Sequence, residues 1–125
     1  MRFLVVDDSD LVRRMYGLAF YRHKHELVEA ENGQQALSLI DASSQPFDLI
    51  LLDLRMPDMN GVEFIQAVRR RPLFRIPIVV VTSEAETSEL LQEARRLGVA
   101  AIVKKPWKPQ ELAELVQSVL ATWQP

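Results

Sequence analysis

Cysteine is absent from the 125 residues, which excludes a disulfide framework, a zinc–thiolate site and thiol chemistry, and suits a reducing compartment. Glycine is scarce: there are four, and none follows the first apolar run, where Asp7-Asp8-Ser9-Asp10 occupies the place a glycine-rich phosphate loop would need. No apolar run approaches the roughly 20 residues of a membrane-spanning helix, so no membrane partner is expected. Positive charge is not in surplus either. Fifteen Lys and Arg against seventeen Asp and Glu leave a formal charge of −2, and no overall basic field is available to hold nucleic acid. Acids appear directly after Val6, too early for the apolar core of a secretory signal, so a cytoplasmic location is expected. His23 and His25 flank a lysine with no carboxylate or second histidine at a metal-ligand spacing, and read as solvated helix-end residues.

With 48% hydrophobic and 26% charged residues the composition is that of one globular domain over 1–125, burying roughly two-thirds of the surface its unfolded chain exposes. Phe3 to Val6 is a continuous apolar run, as in a strand buried on both faces. Asp8-Ser9-Asp10 can cap a following helix with Leu11, Met15, Leu18 and Ala19 on its stripe. Glu26 to Ala30 alternates like a short strand, Asn32-Gly33 reads as a turn, and Ala36, Leu37 and Ile40 as a helix face. Asp48 to Asp53 is a third strand. Residues 56–61 are a loop, and Val62, Ile65, Ala67 and Val68 begin a helix that Pro72 ends. Ile76 to Thr82 is a β-branched fourth strand, with Pro77 tolerable near its start. Ser83 and Glu86 have capping-box spacing before Leu90, Leu91, Ala94 and Leu97, and Gly98 is a natural stop. Ala100 to Val103 is a fifth strand. Pro109 opens a last helix carrying Leu112, Leu115, Val116, Val119 and Trp123. Strands alternating with helices in this way imply a doubly wound α/β domain with a parallel sheet.

In such sheets ligands bind beyond the carboxyl ends of the strands. The residues found there are Asp7 and Asp8, then Asp53, then Thr82 and Ser83, then Lys104-Lys105-Pro106. Taken singly, each has an ordinary structural explanation. Carboxylates gathered at one rim repel by about 1 kcal/mol per pair in water and about 4 at an intermediate dielectric, which a cation relieves. With only hard oxygen donors available the expected ion is Mg²⁺, with Mn²⁺ able to substitute. That ion favours phosphate chemistry, in which a carboxylate attacks a phosphoryl group while a lysine and a hydroxyl attend its oxygens.

Val5-Val6-Asp7-Asp8, Leu51-Leu52-Asp53-Leu54-Arg55-Met56-Pro57 with Gly61, Val81-Thr82-Ser83 and Lys105-Pro106-Trp107 together resemble the receiver domain of two-component response regulators. The resemblance spans nearly the whole chain and implies a (βα)5 flavodoxin-like sandwich with strand order 2-1-3-4-5. It implies that Asp53 is the phosphoacceptor, taking its phosphoryl group from a histidine kinase or phosphotransfer protein. Asp8, Asp53 and the backbone carbonyl of Arg55 would ligate Mg²⁺, with Asp7 acting mainly through water. Thr82 would follow the phosphoryl group, and Lys105, before a cis Lys105-Pro106 peptide, would pair with it. The family docks downstream proteins, and often a second copy of itself, through helix four, strand five and helix five. Its members phosphorylate and dephosphorylate themselves and turn over no external metabolite.

One position departs from the family pattern. Receivers usually carry Tyr or Phe three residues before the signature lysine, where this chain has Ile102. Switching is therefore expected to rely on displacement of Thr82 and its following loop, with helix four and the fifth strand repacking. Arg55 and Glu84 are expected to face each other across the entrance and to hinder the water that would hydrolyse the acyl phosphate. Arg69-Arg70-Arg71 and Arg75 read as a solvated cap at a helix end. Trp107 is expected to wedge beside the lysine loop. A haloacid-dehalogenase-like phosphatase would need an aspartate two residues after the nucleophile, where Arg55 stands. A receiver-fold module independent of phosphate is the alternative that Ile102 keeps open.

Overall fold

The computed structural model describes residues 1–72 and 74–123. Strands β1 (Arg2–Val6), β2 (Glu26–Ala30), β3 (Leu49–Leu52), β4 (Ile78–Thr82) and β5 (Ala101–Lys104) alternate with helices α1 (Asp10–Phe20), α2 (Gly33–Ala42), α3 (Gly61–Arg69), α4 (Glu89–Arg96) and α5 (Pro109–Thr122). Every strand pair is parallel and the order is β2-β1-β3-β4-β5, the doubly wound α/β arrangement that the alternation implies.

The strand period of two divides the core. Leu4, Val6, Ile50, Leu52, Ile78 and Val80 face Ala36 of α2, Ile65 and Val68 of α3, and Leu91 and Ala94 of α4. Their strand neighbours Phe3, Val5, Leu49, Leu51, Val79 and Val81 face Tyr16, Ala19 and Phe20 of α1 and Leu112, Val116 and Val119 of α5. All twelve strand residues are fully buried, which explains continuous rather than alternating apolar runs. The edge strands β2 and β5 instead carry exposed charges, Glu26, Glu29 and Lys104, which discourage further pairing.

Helix starts follow the capping side chains. Ser9 caps α1 by accepting from the Val12 amide, and Asn60 and Glu63 form a reciprocal capping box at α3. Two starts differ from the sequence expectation. Asn32-Gly33 is not a free turn; Asn32 caps α2 and Gly33 is its first residue. The Ser83/Glu86 spacing does not open α4, whose cap is Ser88, accepting from the Leu91 amide. Residues 83–88 are a loop because Glu84 and Glu86 are engaged elsewhere, Glu84 with Arg55 and Glu86 with Arg95.

Three further expectations are corrected. Leu11 and Leu18 are exposed, and α1 buries Arg13, Tyr16, Ala19 and Phe20, so the true face lies one residue round the helix from the leucine spacing. The arginine run is not merely solvated. Arg71 forks onto both carboxylate oxygens of Asp41 in α2 at 2.7 and 2.8 Å, and Arg69 donates to the Gly98 carbonyl at 3.2 Å. His25 is half-buried rather than solvated: its ring packs on Phe3 with centroids 4.4 Å apart, its Nε2 is buried without a hydrogen-bond partner among the described residues, and burial lowers its pKa. The reason is the left-handed Lys24 (φ 56°), which turns the chain sharply from the 3₁₀ turn Tyr21–His23 into β2.

Candidate functional site

Because the strands are parallel, their carboxyl ends lie along one edge of the sheet, and the hydrogen-bond ladder continues one residue past each of three of them. The Asp7 amide donates to the Ala30 carbonyl at 3.1 Å, the Asp53 amide to Val6 at 2.9 Å, and the Lys105 amide to Thr82 at 2.9 Å. Asp7, Asp53 and Lys105 are therefore fixed by the sheet itself. One carboxylate oxygen from each of Asp7, Asp8 and Asp53 lies within 4.8 Å of the others. Lys105 Nζ donates to Asp7 Oδ2 at 3.0 Å and lies 3.6 Å from Asp53 Oδ2. The other Asp7 oxygen, Oδ1, accepts from the Ser9 amide at 2.9 Å.

Asp7 and Asp53 are buried, whereas Asp8 is exposed. Burial raises the Asp53 pKa from 3.8 to about 6. The Lys105 ammonium opposes the rise, Asp7 and Asp8 reinforce it, and the Arg55 amide, donating to the carboxylate, lowers it slightly. The native state thus binds this proton more tightly than the unfolded chain does. Its contribution favours folding at low pH, declines as pH rises from about 4 to about 6, and is a standing cost above that. In chelator, Asp53→Asn is accordingly expected to be more stable than the parent by about 1–2 kcal/mol at pH 7, after allowance for solvent screening in the open cleft. The difference should vanish near pH 4. Urea unfolding at both pH values measures it.

Around this nest the loops are held closely. Gly61 donates its amide to the Leu54 carbonyl at 2.8 Å, and a Cβ there would lie 2.7 Å from the Asp53 carbonyl oxygen. Thr82 is fully buried at the end of β4, and its Oγ1 accepts from the Glu84 amide at 3.1 Å. Glu84 then meets Arg55 across the entrance, with Nη2 at 2.7 Å and Nε at 3.4 Å from its two oxygens, and also accepts from the Ser88 hydroxyl at 2.8 Å. The guanidinium and that hydroxyl hold the Glu84 carboxyl below the usual range. Lys104 donates to the Glu84 carbonyl, so the loop after β4 is tethered from β5 as well. The Lys105-Pro106 peptide is cis. Trp107 stacks on Tyr16, with centroids 5.3 Å apart and planes 17° from parallel. Ile102 is half-buried and packs against the α4-side core layer.

Two buried residues beside the nest, Arg13 and Tyr16, carry little signal in the sequence. Arg13 is buried, donating to the Asp7 carbonyl at 2.6 Å, to Glu29 at 3.0 Å and to Asp10. Its three-residue spacing from Asp10 was the available signal. Tyr16 stood next to Met15 on the stripe, and its buried hydroxyl has no partner among the described residues.

Three clustered carboxylates, with no thiolate or imidazole in the cluster among the described residues, suit a hard divalent cation, so the residues fit the ion class expected from the sequence. A response regulator receiver domain model matches residues 3–117. The chain belongs to the response regulator receiver family. As a receiver it is 36% identical over 124 residues to the chemotaxis protein CheY1 of Helicobacter pylori, covering 98% of both chains. It is 40% identical over 119 residues to the regulatory protein AtoC of Escherichia coli, of which it covers 25%. Among solved structures, the chemotaxis response regulator CheY4 of Vibrio cholerae superposes with a TM-score of 0.83 at 34% identity, over 94% of this chain and 97% of that one. This receiver is a phosphorelay component and not a classical enzyme. Receivers of this family bind Mg²⁺ at an acidic pocket and interact with histidine kinases and downstream targets.

Proposed function

We propose that Asp53 is the phosphoacceptor and that Asp8, Asp53 and the Arg55 backbone carbonyl hold Mg²⁺ or Mn²⁺, with Asp7 acting through water. The observation that carries this reading is the Lys105 ammonium poised between the Asp7 and Asp53 carboxylates, which form one nest with Asp8. With a pKa of about 6, Asp53 is mostly ionised at neutral pH and able to attack. Its carboxylate oxygen forms the new P–O bond as the P–N bond of a phosphohistidine breaks, and the leaving imidazole takes up a proton. The bound cation supplies charge neutralisation for the phosphoryl oxygens. Lys105 turns its ammonium from Asp7 to a phosphoryl oxygen, and the Thr82 hydroxyl donates to another. Since the Thr82 oxygen also accepts from the Glu84 amide, its displacement pulls on the loop before α4. Ile102 has no ring to rotate, so this loop carries the signal.

The phosphodonor is a histidine kinase or phosphotransfer protein, and the switched surface of α4, β5 and α5 meets a downstream protein or a second copy. Residues 1–125 act as a single receiver domain in the cytoplasm, phosphorylating and dephosphorylating themselves. The Arg55–Glu84 pair shields the acyl phosphate from water, so Arg55→Ala and Glu84→Ala should each hydrolyse it several-fold faster. The decisive experiment is intact mass after incubation with acetyl phosphate and Mg²⁺. One phosphoryl adduct on the parent and none on Asp53→Ala is expected. A parent left unlabelled by acetyl phosphate and by phosphohistidine donors, yet binding its target regardless of beryllofluoride, would establish a phosphate-independent module instead.

A further inference from the structure

Asp7 is restrained at each of its polar atoms. Its amide donates to Ala30, Oδ1 accepts from Ser9, Oδ2 accepts from Lys105, and its carbonyl accepts from Arg13 Nη1 at 2.6 Å. The last of these restrains more than Asp7. A peptide group is planar from one Cα to the next, so fixing the Asp7 carbonyl fixes the direction in which the Asp8 amide and Cα leave. Asp8 is exposed at the surface, one of its carboxylate oxygens lies within 4.8 Å of those of Asp7 and Asp53, and the plane sets where its side chain starts. Arg13 is suited to fixing it. Its side chain is 7% exposed, and its fork is held from two further sides by Glu29 of β2 and Asp10 of the first turn of α1. A buried guanidinium behind an acidic nest would by its charge oppose a cation, but these two carboxylates offset it.

We propose that Arg13 is a positioning residue: through the Asp7 carbonyl it sets the Asp7–Asp8 peptide plane, and so determines the nest's affinity for a divalent cation. The inference rests on the cation-binding reading above. The geometry, rather than the charge, of the fork is what matters, because an ammonium is a point donor that cannot reach three acceptors in one plane.

The test is Mn²⁺ titration of the full chain, followed by the paramagnetic signal of the free ion, alongside thermal unfolding in chelator. We expect Arg13→Gln to raise the Mn²⁺ dissociation constant by about tenfold and Arg13→Lys by about fivefold, since a second-layer partner of a metal ligand is typically worth 10–100-fold. Glu29→Gln, which leaves the donor to Asp7 in place, should stay within about threefold. Should Arg13→Gln fail to fold, Arg13→Lys decides the question. A merely structural role would lower the unfolding temperature of folded Arg13 variants while leaving the dissociation constant within twofold of the parent's, and that result overturns the inference. So does an Arg13→Lys variant equal to the parent, which would reduce the role to charge. A parent that binds no Mn²⁺ overturns the cation reading itself, a failure distinguishable from the other two.

Discussion

Lys105→Ala is expected to slow phosphorylation of Asp53 by acetyl phosphate by about 10²–10³-fold, the usual consequence of removing one pre-aimed donor from developing phosphoryl charge. The same substitution should move cation binding the other way. The Lys105 ammonium lies 3.0 Å from an Asp7 oxygen and 3.6 Å from an Asp53 oxygen, where it would compete with the proposed divalent ion for the same negative charge. At such separations and an intermediate dielectric the Coulomb interaction is about 4 kcal/mol before screening. A residual effect of about 1.4 kcal/mol, or about tenfold tighter Mn²⁺ binding, is expected. Stopped-flow phosphorylation rates and Mn²⁺ titration measure the two. Loss of both together would mean that alanine had collapsed the nest rather than removed a charge.

The second large effect is at Gly61. An added methyl group would meet the Asp53 carbonyl oxygen at 2.7 Å and the Leu54 Cα at 2.8 Å, both backbone atoms that cannot swing aside. Gly61→Ala should therefore cost about 2–3 kcal/mol and lower the unfolding temperature by about 10 °C, as overpacking against fixed atoms does. Because the displaced carbonyl belongs to Asp53, the proposed acceptor, phosphorylation should slow by at least tenfold in the fraction that remains folded. Gly17 is the internal contrast. It lies inside α1 with nothing within 4 Å of an added Cβ, so Gly17→Ala should stabilise by about 0.5–1 kcal/mol through helix propensity. Calorimetry of the two variants should give shifts of opposite sign.

The strands were legible in the sequence because burial on both faces leaves unbroken apolar runs, and nothing in Phe3–Val6 or Ile78–Val81 competes with that pattern. The residues at the strand ends were legible for the same reason, since topology alone dictates that parallel strands deliver their next residues to one rim. What stayed hidden was long-range and polar. Leu11 and Leu18 mark a helical stripe as well as Met15 and Ala19 do, and only the position of the sheet decides that the leucines face out while Tyr16 and Phe20 face in. Helix α4 starts later than local spacing implies, because Glu86 has a distant partner, Arg95, that no local spacing reveals. The two arginine errors have one origin. A guanidinium on a helix looks solvated until the carboxylate or carbonyl opposite it is known, as with Arg71 and Asp41, or Arg13 and the Asp7 carbonyl.

The ladder bonds that Asp7, Asp53 and Lys105 make beyond the ends of their strands have a dynamic consequence. Amide protons tied into a central sheet exchange with deuterium only when the whole sheet opens, whereas those of surface loops exchange through local fraying. Asp53, tied between the central strands β1 and β3, is thus mounted on the slow-opening part of the molecule, while residues 83–88 form a loop held by side-chain contacts rather than by the sheet. A phosphoryl group on the proposed acceptor would report itself by changing how often that loop fluctuates, with the β-sheet serving as an anvil that does not move.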